Sequence, residues 1–181
     1  MLIEEVSGES VWEFFERRIF KPIGMNATRN SDPGTVIPRR AQGYGKESGA
    51  LVTRDPVTAS AAFTQGALMS SVLDMAKWDA ALLTAQVLPH DLLSQMWTPV
   101  VLRDGSEYPY GFGWELSQTN GRVTVVHGGS LPGFRTYMMR VMDSRLTVIA
   151  LTNCDCTREL PAIAARIASF YDPRQQSGDN R

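Results

Sequence analysis

The chain has 181 residues, with 18 Lys and Arg against 19 Asp and Glu, 43% hydrophobic and 20% charged residues, the balance of one globular domain or a large piece of one. With a net charge of −1 and no basic cluster longer than Arg39-Arg40, the footprint needed to bind a phosphate backbone is missing, which excludes nucleic acid as an expected partner. No run of about 18 apolar residues forms a membrane span, and the N-terminus lacks the basic-then-apolar pattern of a secretory signal, so the compartment stays open.

The opening Met1-Leu2-Ile3-Glu4-Glu5-Val6 carries an apolar face with no N-cap residue in front of it, and reads as the end of a helix whose start is absent. Ser10-Val11-Trp12-Glu13 has the capping-box form and opens a second helix through Val11, Phe14, Phe15, Arg18 and Ile19, stopped by Pro22. From Ala41 to Gln65, Gly43, Gly45, Gly49 and Pro56 leave room for short strands at most. Ser71-Val72-Leu73-Asp74 is another capping box, and Val72, Met75, Ala76, Leu82 and Leu83 give the spacing of a buried helical face. A short helix over His90 to Trp97 ends before Pro99.

The period then changes. Tyr110 to Ser117, Arg122 to His127, Phe134 to Met142 and Leu146 to Asn153 read as strands. Asn120-Gly121 is a two-residue hairpin signal and Asp143-Ser144 a second tight turn, so consecutive strands run antiparallel. Leu146 to Leu151 is apolar at nearly every position, which argues for an interior strand covered on both faces. It has Phe134 to Met142 as its one obvious neighbour, so a partner is missing beside it. A last helix with Leu160, Ile163, Ala164, Ile167 and Tyr171 supplies one cover, and Pro173 to Arg181 is a polar tail. The fold class is therefore α+β: helices, then an antiparallel meander backed by a C-terminal helix.

Cys154 and Cys156 flank one residue, Asp155, a spacing too tight for an easy disulfide, and are expected as two thiols at a strand end. The two histidines, His90 and His127, do not suffice for a zinc site, so neither a metal nor a cofactor is expected.

The segment most suggestive of chemistry is His127-Gly128-Gly129-Ser130-Leu131-Pro132-Gly133-Phe134, at a strand end and before the next strand. Paired glycines let a ligand approach the backbone and leave N–H groups for a developing oxyanion. A glycine-rich hairpin loop beside a partly buried histidine explains the same residues. As a nucleophile Ser130 fits poorly, because Pro132 stands where a Gly-x-Ser-x-Gly elbow needs glycine. Ser70-Ser71 is accounted for by helix capping.

Phe20-Lys21-Pro22-Ile23-Gly24-Met25, Gly66-Ala67-Leu68-Met69-Ser70-Ser71 leading to Asp74-Met75-Ala76-Lys77-Trp78, Tyr110-Gly111-Phe112-Gly113-Trp114, and His127-Gly128-Gly129 follow one another in a familiar order. The chain resembles, over about residues 1 to 171, the class C β-lactamase-like serine hydrolases, which include penicillin-binding-protein-like D-alanyl-D-alanine carboxypeptidases, D-aminopeptidases and β-lactamase-fold esterases. The resemblance implies a β-lactamase/transpeptidase-like fold with a five-stranded sheet and a helical domain, and acylation of a Ser in Ser-x-x-Lys assisted by a Tyr in Tyr-x-Asn. It implies substrates among esters, lactams and D-amino-acid peptides. His127, Gly128 and Gly129 match the family's third motif, the Ser130 N–H would be one arm of an oxyanion hole, and Asn153 and Arg158 fall where relatives contact a substrate carboxylate.

Departures accompany the match. Three residues before Lys21, Lys46 and Lys77 stand Arg18, Gly43 and Asp74, and no tyrosine is followed two residues later by Asn, so neither the Ser-x-x-Lys nor the Tyr-x-Asn motif is present in the chain. The expectation is the C-terminal part of a β-lactamase-like domain over 1–172, helical over about 1–100 and sheet over about 108–172, with a flexible tail at 173–181. The nucleophile-bearing half would be absent, the 181 residues inactive alone, and an apolar sheet edge open to that half or to self-association. The alternative is a non-catalytic interaction module using that edge.

Overall fold

A computed structural model describes residues 2–30, 34–55, 66–119 and 121–171. In chain order these form α1 (Leu2–Ser7), α2 (Val11–Phe15) continued by a π-helical turn over Glu16–Phe20, β1 (Arg29–Asn30), β2 (Gly43–Glu47), β3 (Ala50–Arg54) and β4 (Leu68–Met69). There follow α3 (Val72–Leu83), α4 (His90–Met96), β5 (Val100–Val101), β6 (Glu107–Tyr108), β7 (Glu115–Thr119), β8 (Arg122–Leu131), β9 (Phe134–Val141), β10 (Leu146–Thr152) and α5 (Leu160–Tyr171). Packing groups them into two units, one of Met1–Arg40 with Pro56–Pro89, the other of Ala41–Asp55 with His90–Arg181.

In the first unit α1 buries none of its residues. The Ser10 and Glu13 capping box is present in both directions, each group meeting the other's backbone N–H. Trp12, Phe14, Phe15 and Phe20 follow in edge-on or tilted ring contacts. At Ser71 the box is half formed, with the hydroxyl accepting from the Asp74 N–H at 3.2 Å. The Asp74 carboxylate turns inward instead. It accepts from the Ala27 N–H at 2.7 Å, the Thr28 hydroxyl at 3.0 Å and Lys77 Nζ at 2.9 Å. This corrects the expected face of α3: Asp74, Ala81 and Leu82 are buried, whereas Val72 and Leu83 are exposed. A carboxylate can be buried only when its oxygens are hydrogen-bonded, and the three donors meeting Asp74 allow it to face inward.

The second unit is built on a four-stranded antiparallel sheet in the order β10-β9-β8-β7. Side chains alternate across it. On one face Val126, Met139, Val141 and Val148 pack with Ala164 and Ala168 of α5, whose small side chains four apart let the helix approach closely. On the other face Val125, Met138 and Arg140 are buried, and the Arg140 guanidinium lies 5.5 Å from the Trp97 ring centroid. Burial of each such aliphatic side chain contributes about 2 kcal/mol. In α5 the buried positions are Leu160, Ala164 and Ala168, while Ile163 and Ile167, expected inside, stand exposed with Phe170 and Tyr171.

Two expected strand boundaries change, and the open edge expected at the last strand is seen among the described residues. Tyr110 to Trp114 is a loop, and β7 begins at Glu115, because Gly113 has φ +76° and a side chain at Gly111 would strike the Met96 carbonyl. β8 runs on to Leu131 in register with β9, from Thr124 opposite Val141 to Leu131 opposite Phe134, so the paired glycines lie inside a strand. β10 has β9 as its ladder partner and stands at a sheet edge among the described residues. Its coverage is partial, with Val148 buried and Leu151 exposed. Asn120 and the tail from Pro173 lie outside the described residues, although β7 and β8 flank Asn120 as an antiparallel pair.

A hairpin, β2 with β3, adds to this unit through Tyr44, whose N–H donates to the Asn153 carbonyl at 2.9 Å and whose carbonyl accepts from the Asp155 N–H at 3.0 Å. Its turn residues Ser48 and Gly49 have φ of 49° and 86°, the handedness that matches strand twist. Cys154 and Cys156 are joined in a disulfide, which corrects the expectation of two thiols. A turn in which the Thr157 N–H donates to the Cys154 carbonyl brings the two Cα atoms to 5.1 Å, within bridging range.

Candidate active site

β7 begins at Glu115, opposite Val126, while β8 continues to Leu131 along β9. Over His127 to Leu131 one edge of β8 therefore has no strand beside it among the described residues, and alternate backbone groups there point to that side. His127, Gly128, Gly129 and Ser130 are all exposed. The pleat sends His127 and Gly129 to the face away from α5, and Gly128 and Ser130 to the other.

The two glycines differ. A side chain at Gly129 would meet Thr136 Oγ1 at 2.4 Å, whereas at Gly128 the nearest atoms are Tyr137 Cδ2 at 3.5 Å and the Thr136 carbonyl oxygen at 3.6 Å. A side chain at Gly129 would therefore force the Thr136 hydroxyl to move, whereas Gly128 leaves room for one. The Ser130 hydroxyl accepts a hydrogen bond from the Arg135 guanidinium and, among the described residues, has no hydrogen bond to an imidazole or lysine, an arrangement unsuited to a nucleophile. His127 Nε2 lies 3.0 Å from the Tyr110 hydroxyl, with the rings edge-on.

Asn153 stands at the same end of the sheet as Ser130. The register places Ser130 opposite Arg135 and Arg135 opposite Thr152, so Asn153, the next residue, is two strands away, about 10 Å. The Asn153 side chain donates to the Gln42 carbonyl at 3.0 Å, holding the β2 hairpin, and Arg158 is exposed in the loop before α5. The residue organising this end is Asp155. Its carboxylate accepts from the Gly133 N–H at 3.0 Å and from Arg54 Nε at 3.3 Å, while its carbonyl accepts from Arg135 Nε at 3.2 Å. The Gly133 hydrogen bond, outweighing desolvation and joined by the Arg54 charge, holds the Asp155 carboxyl below its ordinary range. Sequence reasoning gave no role to Tyr110, Arg135 or Asp155. Tyr110 was within reach through its motif, but the other two carry no local signal.

Among the described residues no group of three or more His, Cys, Asp or Glu is placed to hold a metal, and no helix is long and apolar enough to cross a membrane.

Comparison with known proteins identifies the class. The Beta-lactamase family profile matches residues 1–171, and the chain belongs to that family. Similar curated proteins include a D-aminopeptidase of Gluconobacter oxydans, 28% identical over 97% of this chain and 34% of its own. Penicillin-binding protein 4* of Bacillus subtilis is 31% identical over 84% of this chain and 37% of its own. The chain thus spans about a third of the length of these relatives. Among solved structures, an octameric penicillin-binding protein homologue from Pyrococcus abyssi aligns at TM-score 0.78 and 26% identity, covering 94% of this chain and 39% of that one. D-amino acid amidase from Ochrobactrum anthropi, in complex with D-phenylalanine, shares the fold at TM-score 0.73 and 21% identity, covering 94% and 55%. The α+β fold is that of the penicillin-binding and β-lactamase-like proteins.

Proposed function

We propose that this chain forms the sheet wall of a serine hydrolase site that acts through an acyl-enzyme on an ester, amide or lactam carbonyl, with the nucleophile carried by residues outside these 181. The observation that carries the reading is the exposed end of β8, open-edged among the described residues, where His127, Gly128, Gly129 and Ser130 lie beyond the pairing with Glu115, the first residue of β7. An open strand edge can receive an extended acyl substrate and offer N–H groups to its oxyanion. Relatives named as D-aminopeptidase and D-amino acid amidase favour D-amino-acid amides and peptides as the substrate class. In this reading Asn153 and Arg158 lie towards the substrate's carboxylate end, and Asp155 with Arg135 holds the wall in shape.

The test is an amide NMR titration of the 181-residue chain with D-phenylalanine amide. Saturable shifts centred on Gly128, Gly129 and Ser130, without turnover, support the reading. No shift at millimolar ligand, together with stable self-association, favours a non-catalytic interaction module. One observation favours that second reading: among the described residues β10 presents an open edge, and Leu151, Ile163, Ile167, Phe170 and Tyr171 are exposed, the kind of surface that recruits other chains. A sharp monomer peak by light scattering at tens of micromolar counts against it.

A further inference from the structure

The Tyr110-Gly111-Phe112-Gly113-Trp114 segment is locked in place by its backbone. The Tyr110 N–H donates to the Tyr108 carbonyl at 2.7 Å, and its own carbonyl accepts from Val100 at 3.0 Å. Gly111 donates to the Trp114 carbonyl at 2.8 Å and Phe112 to the Met96 carbonyl at 3.2 Å. Trp114 anchors the loop in the interior, and Gly111 sits so close to α4 that a side chain there would overlap the Met96 carbonyl. The product of this loop is one phenol delivered to the imidazole of His127, with 3.0 Å between Oη and Nε2.

His127 is otherwise exposed, and among the described residues the phenol is the hydrogen-bond partner its ring has. A neutral imidazole carries one N–H and one lone pair, and the hydrogen bond at one nitrogen decides where the proton sits. A phenol O–H is a better donor than an imidazole N–H, and an imidazole lone pair a better acceptor than a phenol oxygen. The strongest pairing therefore runs from Tyr110 Oη–H to His127 Nε2 and places the ring proton on Nδ1.

We propose that Tyr110 is a positioning residue that fixes neutral His127 in the Nδ1–H tautomer, so that the imidazole offers the site a hydrogen-bond donor and its basic nitrogen is already occupied. The functional meaning rests on the reading of the β8 end as an acyl-substrate wall. His127 then contributes by donating to an acceptor on the substrate, a carbonyl or carboxylate oxygen, and general-base work falls to a group outside this chain.

The experiment is a long-range proton–nitrogen spectrum of the histidine side chains in the 181-residue chain at about pH 8.5, where an ordinary imidazole is neutral. With two histidines in the sequence, His90 serves as the internal reference. Expected is a pyrrole-type Nδ1 and a pyridine-type Nε2 for His127, with that tautomer favoured by a factor of about ten, the scale of one net hydrogen bond. Tyr110→Phe should relax His127 to a mixture like that of His90, while Tyr108→Phe leaves it unchanged. An Nε2–H tautomer in the unsubstituted chain overturns the proposal, even if Tyr110→Phe fails to fold. So does a His127 spectrum unaltered in a folded Tyr110→Phe chain. Since the spectrum needs neither ligand nor turnover, loss of D-phenylalanine amide binding would sink the substrate reading and leave the tautomer result standing.

Discussion

Gly133 and Gly43 meet backbone to backbone. A Cβ on Gly133 would lie 2.7 Å from the Gly43 Cα, and one on Gly43 would lie 3.0 Å from the Gly133 Cα. The turn joining β8 to β9 is thereby pressed against the first residue of the β2 hairpin, with the Gly133 N–H held by Asp155. Gly133 also has φ +80°, which an L side chain adopts at a cost. Gly133→Ala should destabilise the second unit by about 2–3 kcal/mol, and should broaden or shift the amide signals of His127 to Ser130. Denaturant unfolding and an amide NMR spectrum check this, and an unchanged midpoint would refute it.

The two glycines of β8 should part company on substitution. Gly128→Ala enters ordinary contact distances and is expected to change stability by less than about 0.5 kcal/mol, whereas Gly129→Ala drives into Thr136 Oγ1 and should cost about 1–2 kcal/mol. Pairing Gly129→Ala with Thr136→Ala should recover part of that loss. A double-mutant cycle returning simple additivity would mean that the cross-strand clash is not what restricts position 129.

Acid should act on the first unit through Asp74. Burial raises its carboxyl pKa, but the hydrogen bonds from Lys77, the Ala27 N–H and the Thr28 hydroxyl outweigh burial, and the pKa lies below its ordinary 3.8. A carboxyl with a lowered folded pKa contributes stability that is whole above the unfolded value and is lost as pH falls through the folded one. The contribution should thus be complete above about pH 5 and decline below about pH 4. Asp74→Ala should cost about 2 kcal/mol at neutral pH, since it leaves the Ala27 N–H without its acceptor, while Thr28 keeps Ser70 and Lys77 keeps the Gly24 carbonyl. It should also flatten the acid limb of a stability-against-pH curve, and a parallel limb in the variant would exclude Asp74 as its source.

Thiol titration of the unfolded chain without reductant should find no free cysteine. Reduction should then release two thiols and lower stability by about 1–2 kcal/mol, the amount expected for a very short closed loop. Two titratable thiols before reduction would show that the 154–156 bridge does not form.

These results also show where local pattern suffices. The Ser10 capping box, the existence of α3, α4 and α5, and the antiparallel meander were legible because each depends on neighbours within a turn or a hairpin. The face of α3 was misread because Asp74 looks like a surface cap until Ala27 and Thr28, far off in sequence, supply its partners. The continuation of β8 through Gly128 and Gly129 was missed for a similar reason: glycines signal a loop locally, and the ladder with β9 overrides the signal. The candidate residues His127, Gly128, Gly129 and Ser130 were visible as a motif. Their support from Arg135 and Asp155 arises from register and from a turn, which no short spacing encodes.

The most direct measurement is hydrolysis of a short-chain nitrophenyl ester by the purified 181-residue chain, beside a His127→Ala variant and a matched blank. It should be made on a sample shown by NMR to bind D-phenylalanine amide at the β8 end. No turnover above the blank is expected if, as proposed, these residues supply a wall and the nucleophile lies outside them. Turnover that disappears in His127→Ala would place a nucleophile within these 181 residues and contradict the account.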